Sequence, residues 1–348
     1  MARKLTEGQE LEKMLAHFEP RMRLAFLKSV RDINDLVMLA DIERLVEAGD
    51  IEGVIKALGV QHGAFHPMAL TTEAAFTAGG IATMRRLPYI RDSNGAKNIF
   101  HFNARNSIAE KRLLARSSKM ITNIADDTIG AIRHILTDGL KAGINPKQLS
   151  RQIVGAYDPK LKRRTGGIIG LNGEQAKWVT NARTELEFGS KGSLNKFLGR
   201  AARDKRYDAM IKRAIDGKEP LSSKAIDQIM NRYNDRLLKV RADTIGLTET
   251  MEALNSSKIA ANGQIIDQLG LDPDVDAVKV WKSANDERTR ADHLAMNGVE
   301  VIGMDEPFTL PDGSQMLHPC DSSLGAPASQ TIRCRCTYFV RLDYLKGI

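Results

Sequence analysis

The chain has 348 residues, 42% of them hydrophobic and 27% charged, with a formal net charge of +8. This is enough for two domains with cores of their own and ordinary for a soluble globular protein. No run approaches the roughly 20 apolar residues of a membrane span, and the opening MARKLTEGQELEKML lacks the apolar segment of a signal peptide. Three cysteines, all within the last 30 residues, do not make a secreted disulfide framework, so synthesis in a reducing cytoplasm is expected.

From residue 1 to about 270 the hydrophobic period is mostly helical. Leu11, Met14, Leu15 and Phe18 share a face, Pro20 is expected to interrupt it, and a second helix over 22–48 should end at Gly49. A long helix begins at SIAEKRLL, with Leu114, Ile121, Ile124, Thr128, Ile132 and Ile135 as its stripe. Asn145 and Pro146 mark the cap and first turn of a short helix. The Gly-rich, basic stretch 157–173 lacks the spacing of a phosphate loop and is read as a flexible connection. The clearest helix covers 234–262, with Leu237, Val240, Thr244, Leu247, Met251 and Leu254 as a seam and Gly263 as its end.

After QLGLDPDVDA the period changes. VKVWKSA alternates like a strand. SANDERTRADHLAMNG is predicted to be a helix, opened by Ser283 and Asp286 and closed by Gly298. VEVIG and TIRCRCTYFVRL read as strands around a Pro/Gly/Asp-rich loop over 303–330. The expected fold class is α+β. A mostly α-helical region spans 1–270, with a sub-boundary near 157–173, and a small α+β domain spans 271–348.

Charge is uneven. Residues 151–250 hold 21 Lys and Arg against 12 Asp and Glu, a net of +9, whereas residues 271–348 hold 8 against 12, a net of −4. A basic middle suits an acidic partner such as nucleic acid. The interleaved acids suit a solvated helical face equally, and no basic run with interleaved aromatics marks a dedicated nucleic-acid module.

On a helix, Asp286, Arg290 and His293 would share a face. An Asp–Arg pair buttressing a histidine fits an acid/base site, or a polar lock that fixes the helix on the sheet, and the lock is the simpler reading. No nucleophile elbow, triad motif or HExxH occurs. Cys334 and Cys336, two apart on a predicted strand, would point to one face and could ligate zinc with His293, His318 or Cys320. Buried, reduced thiols filling a core are the plainer alternative. A bridge from Cys320 to either partner is a third, once the protein leaves the cytoplasm.

Trp281, then Asp286-x-Arg288-x-Arg290-x-x-His293, Asn297-Gly298, Phe308, Pro319-Cys320-Asp321 and Cys334-Arg335-Cys336 together resemble the phage Mu protein F-like family of head morphogenesis, or minor capsid, proteins. The preceding RADTIGLTETMEALNSSK resembles the helix that such proteins carry before the motif, with Leu247-Thr248-Glu249 where the usual core is Arg-Thr-Glu. The resemblance is specific over about 239–340. Cys320 stands where the family pattern has glycine.

The resemblance implies a structural component of procapsid and virion, associated with the portal protein and other head proteins at the portal vertex. It also implies proximity to packaged genomic DNA and a part in packaging or genome delivery. On this reading the chain is not an enzyme and needs no cofactor, unless zinc sits on the cysteines. Trp281, Asp286, Arg288, Arg290, His293, Phe308, Asp321, Cys334 and Cys336 then organise the C-terminal domain and its docking surface. Two rivals remain: a small transferase or nuclease using His293, Arg288 and Arg290 on an anionic substrate, and a non-specific DNA-binding protein acting through 151–250.

Overall fold

The structure, a computed structural model, describes residues 5–88 and 99–343. The first four residues of the opening segment and the last five of the expected C-terminal domain lie outside the described residues. Two compact units emerge: one from Met1–Ala25, Met68–Lys119 and Asp243–Ile348, the other from Phe26–Pro67 and Met120–Ala242. The secondary structure changes near 270, from helices to short antiparallel strands, as α+β requires. The two units do not divide at that point.

The chain opens with α1 (Glu7–Leu36), α2 (Leu39–Glu47), α3 (Ile51–Leu58) and α4 (His66–Met84). Pro20 lies inside α1 and does not interrupt it. A proline there removes one helical hydrogen bond at a cost of about 3 kcal/mol. Phe18 and Met22 on either side are buried, and burying such side chains returns roughly 1.5–3 kcal/mol each. The break falls at Val37 and Met38 instead, before α2.

In the second unit α2 packs on α3 and on α6 (Pro146–Val154), whose Asn145 cap accepts from the Lys147 amide as its sequence predicts. Met120–Lys141 of the long helix α5 (Ser107–Lys141) contribute Ile124, Thr128, Ile132 and Ile135 to the interior. Leu114, at the other end of the expected stripe, is exposed. Strands β1 (Ala156–Asp158) and β2 (Arg163–Thr165) form a hairpin, followed by α7 (Gly173–Phe188), α8 (Lys191–Leu198) and α9 (Asp208–Ile215), packed in sequence. The stretch 157–173 is thus a hairpin and a buried turn, which corrects the expectation of a flexible connection. Ile168, Ile169 and Leu171 are buried, and Gly170, at φ +87°, has Val30 so close that an added Cβ would stand 2.5 Å from it.

Helix α10 (Ser223–Leu269) runs 47 residues. Gly263 does not end it; Gly270, at φ +66°, follows its last residue. Val240 in the expected seam is exposed, whereas Leu237, Leu247, Met251 and Leu254 are buried. Every residue from Thr250 to Asn262 is buried, so within the first unit the helix is covered on all sides. Ala253, Ser256, Ser257, Ala260 and Ala261 keep its surface low enough for close neighbours. A Cβ added at Gly79 of α4 would meet the Ser257 Oγ at 2.3 Å, so any larger residue at this crossing would have to displace the Ser257 hydroxyl.

Strand β3 (Ala277–Lys282) is the centre of a three-stranded antiparallel sheet, between β4 (Glu300–Ile302) and β7 (Thr337–Leu342). The 303–330 loop is not structureless: β5 (Phe308–Thr309) and β6 (Gln315–Met316) pair, and α12 (Ala328–Thr331) follows. The expected helix over SANDERTRADHLAMNG shrinks to α11 (Ala291–Ala295). β7 begins only at Thr337, so Cys334 and Cys336 precede the strand rather than lying in it. One hydrophobic core joins Leu247, Met251, Leu254 and Ile265 of α10 to Trp281, Phe308, Met316 and Tyr338.

Candidate functional site

The buried face of α10 in the first unit is unusually polar, and its polar groups bind the C-terminal segment. Asn255 Nδ2 donates to the carbonyls of Pro319 and Cys336, each at 3.0 Å. Its Oδ1 accepts from Thr337 Oγ1 at 2.8 Å, and its backbone carbonyl accepts from the Tyr338 hydroxyl. One turn on, Lys258 Nζ donates to Glu7, Thr337 Oγ1 and the Tyr338 carbonyl. Burial lowers the Lys258 pKa, and Glu7 at 2.6 Å opposes that shift. Lys279 Nζ, on β3, donates to the Leu317 and Glu306 carbonyls, tying the β5–β6 region to the sheet. Buried polar groups satisfied this fully fix one register of packing, because each lost partner would cost about 1–3 kcal/mol.

Arg116 of α5 bridges Glu249, at 2.6 Å, and Glu252, at 2.8 Å, both on α10. Burial raises the Glu252 carboxyl to about 7 against the pull of Arg116, and Glu249 and Asp321 raise it further. Glu252, His318 and Asp321 lie together, with ligand atoms within 4.8 Å of one another, beside a surface pocket that Arg112 and Lys119 also line. His318 Nδ1 lies 3.0 Å from the Pro319 carbonyl, so that nitrogen carries the proton, and the ring stacks on Tyr338. Asp321 accepts from the Leu317 and Ser323 amides and the Ser323 hydroxyl, which makes it the organiser of a turn. Cys320 within that turn holds φ +74°, the left-handed conformation that glycine takes freely. The turn forms with a cysteine in that conformation, and the Cys320 thiol donates to the Cys334 carbonyl.

The sequence motif is brought together, but not as helical spacing suggests. Asp286 accepts from the Arg288 amide and the Thr289 hydroxyl in a tight turn after Asn285, at φ +54°, and so it stands outside α11. Its ion pair is with Arg335, not with Arg290. Arg290 instead donates to the Ile332 carbonyl, and Arg288 is exposed. The polar lock therefore joins the 286–290 turn to the 332–335 segment. Trp281 is buried, with its ring edge-on to His293 at 5.4 Å and to Phe308 at 5.3 Å.

His293 is buried, and its Nδ1 faces Cys334 Sγ at 3.4 Å and Cys336 Sγ at 3.5 Å. The Cys334 and Cys336 thiols are raised well above their ordinary range, first by hydrogen bonding among the cysteines and then by burial. All three cysteines are free. Of the four residues named as metal ligands from sequence, His293, Cys334 and Cys336 converge, whereas His318 belongs to the Glu252–Asp321 cluster. Sequence reasoning missed Arg116, Glu252, Asn255 and Lys258 as contributors. The signal was there, in the polar run Asn255–Lys258 within an otherwise apolar helical seam.

Residues 221–339 match the model of the family described as phage Mu protein F like protein. The match begins just before α10 and ends within β7, so it takes in the whole helix as well as the motif. No curated protein and no solved structure matches the chain.

Proposed function

With residues 221–339 matched to the phage Mu protein F-like family, we propose that this chain is a phage minor head protein. On this reading it joins the portal vertex while the procapsid assembles and stays in or near the head with the packaged genome. The observation that carries the reading is the union of that match with the motif's geometry. Asn255 and Lys258 of α10 hold the backbone of the C-terminal segment, and the motif's Asp286 ties the 286–290 turn to that segment through Arg335. His293, the residue an acid/base mechanism would need, is buried with its ring nitrogen turned to two thiols. Both observations favour a structural role over a catalytic one. Among the described residues no helix is long and apolar enough to cross a membrane.

The test is co-expression with the portal protein of the same phage, followed by size-exclusion chromatography and by mass spectrometry of purified particles. Co-elution with the portal and presence in the virion are expected. A chain that elutes alone and is missing from particles would refute the proposal.

A DNA-facing role has its own support in the second unit. Arg183, Arg200, Arg203 and Arg206 are engaged by carboxylates, but Lys160, Lys162, Arg163, Lys191 and Lys212 are exposed. Contacts to phosphates need no base-reading element. Such binding weakens steeply with salt, so a filter-binding series on random duplex DNA should show a strongly negative salt slope. Indifference to DNA at low salt would remove this reading.

A further inference from the structure

The fastening of the C-terminal segment leaves one cluster chemically unused. His293 on α11 and Cys334 and Cys336 before β7 are all buried, and their ligand atoms lie within 4.8 Å of one another. As hydrogen bonding this arrangement is poor. Two thiols crowd one ring nitrogen, and the other, Nε2, is buried without a partner among the described residues. As a coordination shell the spacing is apt. Around a tetrahedral zinc, with sulfur at about 2.3 Å and nitrogen at about 2.0 Å, neighbouring ligand atoms stand roughly 3.5 Å apart. The nitrogen–sulfur separations here are 3.4 and 3.5 Å.

We propose that His293, Cys334 and Cys336 hold one zinc ion, through Nδ1 and two thiolates, with the fourth position left to water or another ligand. Zn²⁺ with two thiolates is electrically neutral, which suits a buried site, and binding releases the two thiol protons to solvent. A crevice over the cluster is lined by Arg288, Arg290, Arg333 and Arg335, with Asp286 paired to Arg335, and the ion itself supplies the charge that holds the two thiolates. The edge-on contact with Trp281 fixes the imidazole plane. The ion would staple α11 to the segment entering β7.

The other cluster with metal-ligand chemistry, Glu252, His318 and Asp321, is the weaker host. Glu252 is already paired with Arg116, and Asp321 already accepts three hydrogen bonds within its turn. Cys320 lies outside the His293 cluster.

The test uses the full chain, expressed in medium supplemented with cobalt in place of zinc. One cobalt per chain is expected, with thiolate-to-cobalt charge-transfer absorption, the strong visible bands of a tetrahedral ion, and displacement by added zinc. Strongly reduced metal content is expected in Cys334→Ser and in His293→Asn. If those variants fail to fold, the spectrum of the unaltered chain still decides the matter. A folded chain without bound metal would overturn the proposal. So would bound cobalt without a thiolate band that persists in Cys334→Ser but is lost in His318→Gln, because that result would place the metal at the Glu252 cluster.

Discussion

His318 shows how burial at one residue becomes a property of the whole chain. Burial lowers its pKa from 6.5 to about 4, although the Asp321 carboxylate and the Pro319 carbonyl favour the charged ring. Between those values the unfolded chain binds the proton that the folded chain refuses. The folded state is therefore at no disadvantage above pH 6.5 and progressively loses stability as pH falls toward 4, by about 3 kcal/mol in all. Urea midpoints measured from pH 4 to 7 should fall less steeply on acidification in His318→Gln than in the unaltered chain, and parallel curves would contradict a buried neutral histidine. Residue types were legible here and pairings were not. Asp286, Arg290 and His293 are the right residues, but the spacing argument assumed a continuous helix. The Asp286–Thr289 turn ends that assumption, and the carboxylate finds Arg335, 49 positions away. No local rule reaches that far.

Elements show the same division. α10 was readable from its apolar period, but its ends were not, because glycine in sequence marks either a helix end or a tolerated interior position. Gly263 is interior, with nothing within 4 Å of an added Cβ. Gly263→Ala should therefore stabilise the chain by about 0.5–1 kcal/mol, seen as a higher melting temperature. At a left-handed helix end the same change would destabilise, so the sign distinguishes the two placements. The 157–173 stretch was misread for a related reason. Its glycines and basic residues look like a loop, yet Gly166 and Gly170 serve close packing, with Asn231 and Val30 respectively within 2.5 Å of where a Cβ would be.

At the scale of the molecule, the first unit draws on three separated stretches of chain. Residues 271–348 alone would lack Asn255 and Lys258, leaving the carbonyls of Pro319, Cys336 and Tyr338 without those donors. They would also lack the α10 half of the hydrophobic core. That fragment should show no cooperative thermal transition, and its one tryptophan, Trp281, should emit as an exposed indole; the full chain should show a transition and, with the exposed Trp178 replaced by Phe, a blue-shifted emission. A cooperative melt of the fragment would mean that the strands carry their own core.

By itself the sequence determined the α+β class, the long helices α5 and α10, the strand β3 and the residue motif that resembles the Mu F-like family. These rest on local period, caps and residue types, which act over a few neighbours. Only the tertiary structure decided which residues of the motif meet, that α10 is covered on all sides between Thr250 and Asn262, and that His293 joins Cys334 and Cys336 while His318 does not. The physical reason is that these depend on contacts between stretches 40 to 250 residues apart, such as Lys258 with Glu7 and His293 with Cys334. Such contacts form wherever burial and hydrogen-bond satisfaction are jointly best, and no spacing along the chain encodes that.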